Sequence, residues 1–395
     1  MRDFYEHNIS MSKSVPAILG LSASPIMNLK PAALEKIETT LSAVCRTPSA
    51  HRDELLRHVN VPELCQTLFI ESPPIDELVE YTRSLASLHA VYRRLDIKSD
   101  PYVLQLQEQN TERSQRQLHK VFTKHKTWCQ DQMKSFCNTS AVICQELGPW
   151  ASNYYISHVV TRFLQLVDSD LSHLGEGSAE ETRYLARALG QVELIKMASE
   201  LPAGLPMVSH KVSEFIKLLP RDSSFKTIVF VKQRATVAVL ARLLSVHPQT
   251  RTQLRVGTMV GVSQSNQRAV NVADIIGLQE QKDTLEKFRH GNLDLVIATS
   301  VLEEGIDIPA CNFVVCFDPP ANLKSFVQRR GRARMQVSKL VLMQATSSNT
   351  LGKWQEAEAE MKRIYADDMR RLQELEEIEK EEEVDGREFR IESTG

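Results

Sequence analysis

Four arginines crowd into six positions of SFVQRRGRARM (325–335): Arg329, Arg330, Arg332 and Arg334 surround a lone Gly331, with no acidic residue in the stretch. Guanidinium groups stay charged and form paired hydrogen bonds to phosphate oxygens. Presented from a loop across a cleft, such a cluster can stabilise charge developing on a phosphoryl group; on an open face it is a solvated loop. Gly331 lets the backbone approach a ligand closely. A second stretch, ATSVLEEGIDIP (298–309), carries adjacent hydroxyls at Thr299 and Ser300 that can donate to phosphate, with Gly305 suited to a tight turn and a carboxylate at Asp307. A third, LSASP (21–25), contributes the hydroxyls of Ser22 and Ser24.

What positions these stretches is a series of short apolar runs, each followed by a helical pattern. TIVFV (227–231), LRVGTMV (254–260), LDLVIA (293–298), FVVCFD (313–318) and KLVLMQA (339–345) read as strands. QRATVAVLARLL and LQEQKDTLEKFRHG between them read as helices, the latter closed by Gly291. Continuous β-branched runs alternating with amphipathic helices predict an α/β fold, a parallel sheet covered on both faces. In such sheets ligands collect at the carboxyl ends of the strands, where the three stretches are expected to lie.

The rest of the chain divides into three. Residues 1–75 contain one strand-like run, ILGLSAS (18–24), a helix opened by Asn28 and Pro31, and a weaker strand, CQTLFIES (65–72); they read as the end of an incomplete first α/β unit. Residues 76–205 repeat their apolar positions every three or four residues and predict an all-α insertion, with PAGLP (202–206) leading into the second α/β unit, 206–347. Residues 348–395 read as a charged helical arm, in which eight of the twelve residues from Glu374 to Asp385 are acidic. Within the insertion, ERSQRQLHKVFTKHK (112–126) places Arg113, Arg116, Lys120 and Lys124 on one helical stripe, with Leu118, Val121, Phe122 and Cys129 around the other side. That stripe can follow a duplex backbone. Tyr154 and Tyr155 read as core residues.

Composition sets limits. A formal net charge of −2 provides no overall positive field, so any nucleic-acid surface must be local. Seven cysteines, odd in number and without a CxxC, suggest neither a zinc site nor a disulfide framework, and no metal site is assigned. The polar start and the absence of an apolar run near the roughly 18 residues of a membrane span predict a chain that is cytoplasmic or nuclear, with no membrane contact.

The motifs resemble those of superfamily 2 helicases. LSASP is similar to the motif that couples ATP hydrolysis to nucleic-acid movement, VFVKQRATVAVLARLL (229–244) to motif IV, ATSVLEEGIDIP to motif V and QRRGRAR (328–334) to motif VI. A helical insertion beside the α/β units resembles the Dicer and RIG-I-type group. The wording of VLEEGIDIPACNFVVCFDPP and QRRGRARM resembles fungal Dicer-like proteins. The resemblance implies RecA-like folds, ATP with Mg as cofactors, and double-stranded RNA as partner, in RNA silencing and antiviral defence. It implies arginine-finger roles for Arg332 and Arg334, nucleotide contacts at Gly305, Asp307 and Gln328, RNA contacts at Thr299 and Ser300, and coupling at Ser22 and Ser24. The R-A-R spacing is shorter than the commonest helicase spacing, so Arg329 and Arg334 both remain candidates for the second finger.

The sequence contains neither GxxxxGK[ST] nor a DExH or DExD tetrad, the groups that hold the triphosphate and magnesium. The resemblance implies that a first helicase domain completes the motor, and that the partners are this missing domain or a double-stranded-RNA-binding protein. By itself the chain is expected to be inactive, and it lacks sequence for the PAZ and ribonuclease III domains of a full Dicer. A DNA-junction helicase fragment of the repair class and a non-catalytic RNA-binding regulatory module remain the alternatives.

Overall fold

The computed structural model describes residues 7–8, 10–11, 15, 31–41, 43–45, 51–169, 177–196, 207–220, 225–261, 271–276, 281–303 and 305–364. ILGLSAS with Ser22 and Ser24, PAGLP and the acidic end of the arm lie outside them.

Six strands, β1 (Glu63–Phe69), β2 (Thr227–Phe230), β3 (Val256–Met259), β4 (Leu295–Ala298), β5 (Phe313–Cys316) and β6 (Lys339–Ala345), form one sheet in the order β1-β6-β5-β2-β4-β3. Every pairing is parallel. The three central strands β2, β4 and β5 are buried at each position, as runs such as TIVF and FVVC require when both faces are covered. The pleat divides them. Ile228, Phe230, Val296, Val314 and Leu340 enter one apolar cluster, closed by helices Gln281–Arg289, Leu323–Arg330 and Thr350–Ile364. Val229, Ile297, Val315 and Val341 enter a second cluster, which runs on through helices His210–Leu218 and Arg234–Val246 into the helical unit.

Strand β1, placed by the sequence with the end of a first α/β unit, pairs with β6 from Glu63↔Lys339 to Phe69↔Ala345. It is an edge strand of the same sheet as β2–β6. The helical unit leads from β1 to β2, three places across the sheet, and β1 meets its neighbour β6 only after the chain has passed through β2–β5. The helices Arg83–Arg94, Pro101–Gln109, Glu112–Lys124, Trp128–Leu147, Pro149–Ser169 and Ala179–Leu189 build that unit around Leu88, Phe136, Tyr155 and Phe163.

Local chemistry fixes the breaks between these helices. Asp100 accepts from Tyr102 N at 3.0 Å, Thr127 from Gln130 N at 3.2 Å, and Thr111 with Ser114, like Ser178 with Glu181, forms a capping box. Cys129, expected on the apolar side of the basic-stripe helix, belongs instead to the next helix, because Thr127 caps a new start. Gly148 turns the chain from one long helix into the next at φ +103°, and a Cβ there would lie 2.7 Å from Ser209 N and Val208 Cα. Only glycine combines that dihedral with that approach. No helix among the described residues is long and apolar enough to cross a membrane.

Candidate functional site

The structure sorts the four arginines into two kinds. Arg329 is buried: its Nε donates to Glu303 Oε1 at 2.8 Å, its Nη1 to Asp318 O at 2.8 Å, and its guanidinium lies 4.9 Å from the Phe230 ring centre. Arg330 grips Glu358 of helix Thr350–Ile364 with both terminal nitrogens, Nη2 reaching Oε1 at 2.6 Å. Both are internal braces. Arg332 and Arg334 make no ion pair among the described residues. Arg332 donates to two carbonyls of the 299–310 loop, Glu303 O at 2.8 Å and Ile306 O at 3.2 Å, and Arg334 Nε donates to Gly331 O at 2.5 Å. Arg334 is exposed, its terminal nitrogens unengaged by the described residues. Burial, then the adjacent Arg334 charge, lower the pKa of the Arg332 guanidinium.

The expectation that all these groups gather at the carboxyl ends of the strands needs correction. Helix Leu323–Arg330, with eight residues and therefore about 12 Å long, carries the chain back along β5. Arg332 O accepts from Cys311 N and Arg334 N donates to Cys311 O, so the turn sits ahead of β5. Thr299 and Ser300 do follow β4 at its carboxyl end. Thr299 is buried and its hydroxyl oxygen accepts from Gly261 N at 3.3 Å, whereas Ser300 is exposed at the start of a single 3₁₀ turn.

The intervening loop returns to the arginines. Gly305 has φ +79° and open space around it, so its backbone conformation rather than crowding calls for glycine. Asp307 is 95% exposed and Arg289 Nη2 donates to its carbonyl at 2.6 Å, an anchor rather than a helix cap. Gln328 is half-buried on the helix and its amide meets no partner among the described residues.

Glu303 is the group the sequence reading missed. Its carboxylate accepts from Ser325 Oγ at 2.6 Å and from Arg329, and its carbonyl accepts from Arg332, so one residue of VLEEG holds motif-VI-like and motif-V-like segments together. Asp318, at the end of FVVCFD, joins other segments: its carbonyl accepts from Arg329, Lys232 N donates to Oδ2 at 2.6 Å and Lys211 Nζ to Oδ1 at 3.0 Å. Both acids stand inside quoted motifs, where an acid after a buried strand was the available signal.

The basic stripe is on the surface: Arg113, Arg116, Lys120 and Lys124 are all exposed, opposite buried Val121 and half-buried Leu118. Phe122, expected among the apolar residues, is 40% exposed. Arg116 pairs with Glu112 at 3.3 Å in full solvent contact. Tyr155 is buried and donates to Ala273 O at 2.7 Å, while Tyr154 stacks on Trp150 at 5.5 Å.

Among the described residues one cluster has metal-ligand composition, Asp100, Cys129 and Glu181. Its acids are already committed, Asp100 to Thr127 and Tyr102 and Glu181 to Ser178. Burial, with Asp100 and Glu181 alongside, pushes the Cys129 thiol up.

Residues 210–336 match the helicase conserved C-terminal domain. Dicer-like protein 2 of Pyricularia oryzae is 42% identical over 98% of this chain and 26% of its own length, and Dicer-like protein 2 of Phaeosphaeria nodorum 40% over 100% and 29%. Among solved structures, the Pyrococcus furiosus Hef helicase domain aligns with 90% of this chain and 70% of that one at a TM-score of 0.43 and 17% identity. The chain carries a helicase C-terminal domain and is, over its whole length, a homologue of the fungal Dicer-like proteins. It spans a little over a quarter of the length of those relatives.

Proposed function

We propose that the chain is the C-terminal half of an ATP-dependent double-stranded-RNA translocase module of the Dicer-like type, acting in RNA silencing and antiviral defence. In this reading Arg332 and Arg334 face ATP bound by another α/β unit, Gly305, Asp307 and Gln328 line the nucleotide side, and Thr299, Ser300 and the basic stripe hold RNA phosphates. The observation that carries it is the sorting of the arginines: among the described residues the two that match finger positions have no acidic partner, while Arg329 and Arg330 are consumed by Glu303 and Glu358. This favours Arg334 over Arg329 as the second finger.

The donor set suits phosphate and not magnesium. Two guanidiniums sit in one turn, and the nearby Asp307 carboxylate is within 3.4 Å of Arg289. ATP with Mg, when bound, supplies the phosphoryl group whose developing charge the guanidiniums neutralise. The metal would be held by acids of the other unit.

The test joins this chain to a phosphate-loop-bearing α/β unit from a fungal Dicer-like relative and measures RNA-stimulated ATP turnover. Arg332→Lys and Arg334→Lys keep the charge but lose the planar fork, and each should cut turnover on the order of 10³-fold with RNA affinity little changed. Parental turnover in both would refute the finger assignment. Tighter binding to forked DNA than to duplex RNA would refute the substrate.

A further inference from the structure

The helical unit meets the helicase sheet at a seam where Trp128–Leu147 ends and His210–Leu218 begins. Ser209 Oγ donates to Glu146 O at 2.7 Å, Ser209 N to Leu147 O at 3.1 Å, and Ile70 N, just beyond β1, to His210 Nδ1 at 3.1 Å. Close by, the side chains leave a cavity of about 290 Å³ bordered by Phe69, Ser72, Glu146 and Lys211. Directed polar contacts thus add to the apolar packing of Leu147, Phe215 and Phe317 across the seam.

Lys211 is its centre. The side chain is only 5% exposed, and its ammonium sits 4.2 Å from the Phe317 ring centre. It bridges two carboxylates from different parts of the molecule, Glu146 of the helical unit and Asp318 behind β5. A buried ammonium is costly unless paired, so this position has a defined geometry or none. From Asp318 the contacts continue without a gap: its carbonyl accepts from Arg329 Nη1, Arg329 Nε donates to the Glu303 carboxylate, and the Glu303 carbonyl accepts from Arg332 Nη2. Each link is a charge-assisted hydrogen bond at 2.8 Å, short enough that displacing one end reorients the next.

We propose that Lys211 is a positioning residue that ties the seating of the helical unit to the placement of Arg332, through Asp318, Arg329 and Glu303. The catalytic consequence rests on reading Arg332 as a finger; the mechanical one does not. A shift of the helical unit, such as RNA held on its basic stripe would impose, reaches the nucleotide face through this route.

Two measurements test it, the first on the chain as it stands. Amide hydrogen exchange is followed in Lys211→Met, which keeps an unbranched apolar stem between Phe69 and Phe317, and in Glu146→Gln, which removes only the helical unit's charge. Both should raise exchange across 328–334 at least tenfold while the cores of β2 and β4 keep wild-type protection, with Glu146→Gln the weaker. The double variant should be no worse than Lys211→Met alone, since both act through one contact. Lys217→Met, on the exposed face of the same helix, is the control and should change nothing.

In the joined protein, Lys211→Met should lower kcat tenfold or more with KM for ATP and RNA affinity within about twofold. Protection lost evenly over the whole chain, or none lost at 328–334 in Glu146→Gln, would overturn the proposal. Unchanged turnover in Arg332→Lys would remove the finger reading alone, leaving the exchange result to decide the coupling.

Discussion

Arg330 and Arg334 stand in one short motif, yet their substitution is expected to read out in different quantities. Arg330 is bidentate to Glu358, which is only 6% exposed and also holds Lys362 at 2.8 Å. Arg330→Ala should cost about 2 kcal/mol, below the ~3–5 typical of a broken buried pair because Lys362 remains. A denaturant midpoint within error of wild type would refute this. Acid titration supplies a second check. Burial by itself would raise the Glu358 carboxyl, but hydrogen bonds from Arg330 and Lys362 outweigh it and hold it below the usual glutamate range. A depressed folded pKa contributes stability that is complete above the unfolded value, about 4.3, and is lost as pH falls through the folded one. Below about pH 4.5 the wild type should therefore lose stability more steeply than Arg330→Ala. Arg334→Lys should leave stability within about 0.5 kcal/mol and appear only in turnover. The motif's arginines were legible in the sequence; the sorting was not, because Glu303 and Glu358 lie 26 and 28 positions away, and pattern carries no information on such partners.

At the scale of elements, the five strands read from the apolar runs of 227–345 all appear; β2, β4 and β5 are buried on both faces and leave a continuous apolar signature, while edge strand β3 is buried only at alternate positions. β1 was the hard case. ELCQTLF alternates between half-buried and exposed positions, as an edge strand does, and nothing local records which sheet it joins. In sequence, helix Thr350–Ile364 shows only its charge, yet Leu351 and Met361 are buried and Trp354 stacks on Phe326 at 6.2 Å, bracing the motif-VI helix. The basic-stripe helix yields its own prediction. Because Arg113, Arg116, Lys120 and Lys124 are exposed and Val121 anchors the other face, changing all four to Glu should preserve the helical dichroism. Each lost phosphate contact should flatten the salt dependence of duplex-RNA binding by roughly 0.9. An unchanged slope would return the stripe to a solvated face.

At the scale of the molecule, the question is whether the helical unit melts independently of the sheet. Sequence suggests separable units; the packing argues for one. A single apolar cluster runs from Leu88, Phe136 and Tyr155 in the helices to Val229, Phe313 and Val315 in the sheet. Polar contacts reinforce it, with Tyr155 Oη donating to Ala273 O at 2.7 Å and Val272 N to Gln132 Oε1 at 2.8 Å. Separating the units would expose apolar surface and strand buried donors and acceptors together, so a partly melted state has little to stabilise it. The tryptophans provide separate reporters: Trp128 and Trp150 lie in the helical unit, Trp354 against the motif-VI helix. In urea, the fluorescence of a Trp354→Phe variant and that of a Trp128→Phe/Trp150→Phe variant should each track far-ultraviolet dichroism in one transition. Leu88→Ala, remote from the sheet and costing ~2–5 kcal/mol as a fully buried truncation, should move the Trp354 signal by the same amount as the dichroism. A Trp354 transition that stayed in place while the helices melted earlier would mean that the two units are thermodynamically separate despite their shared core.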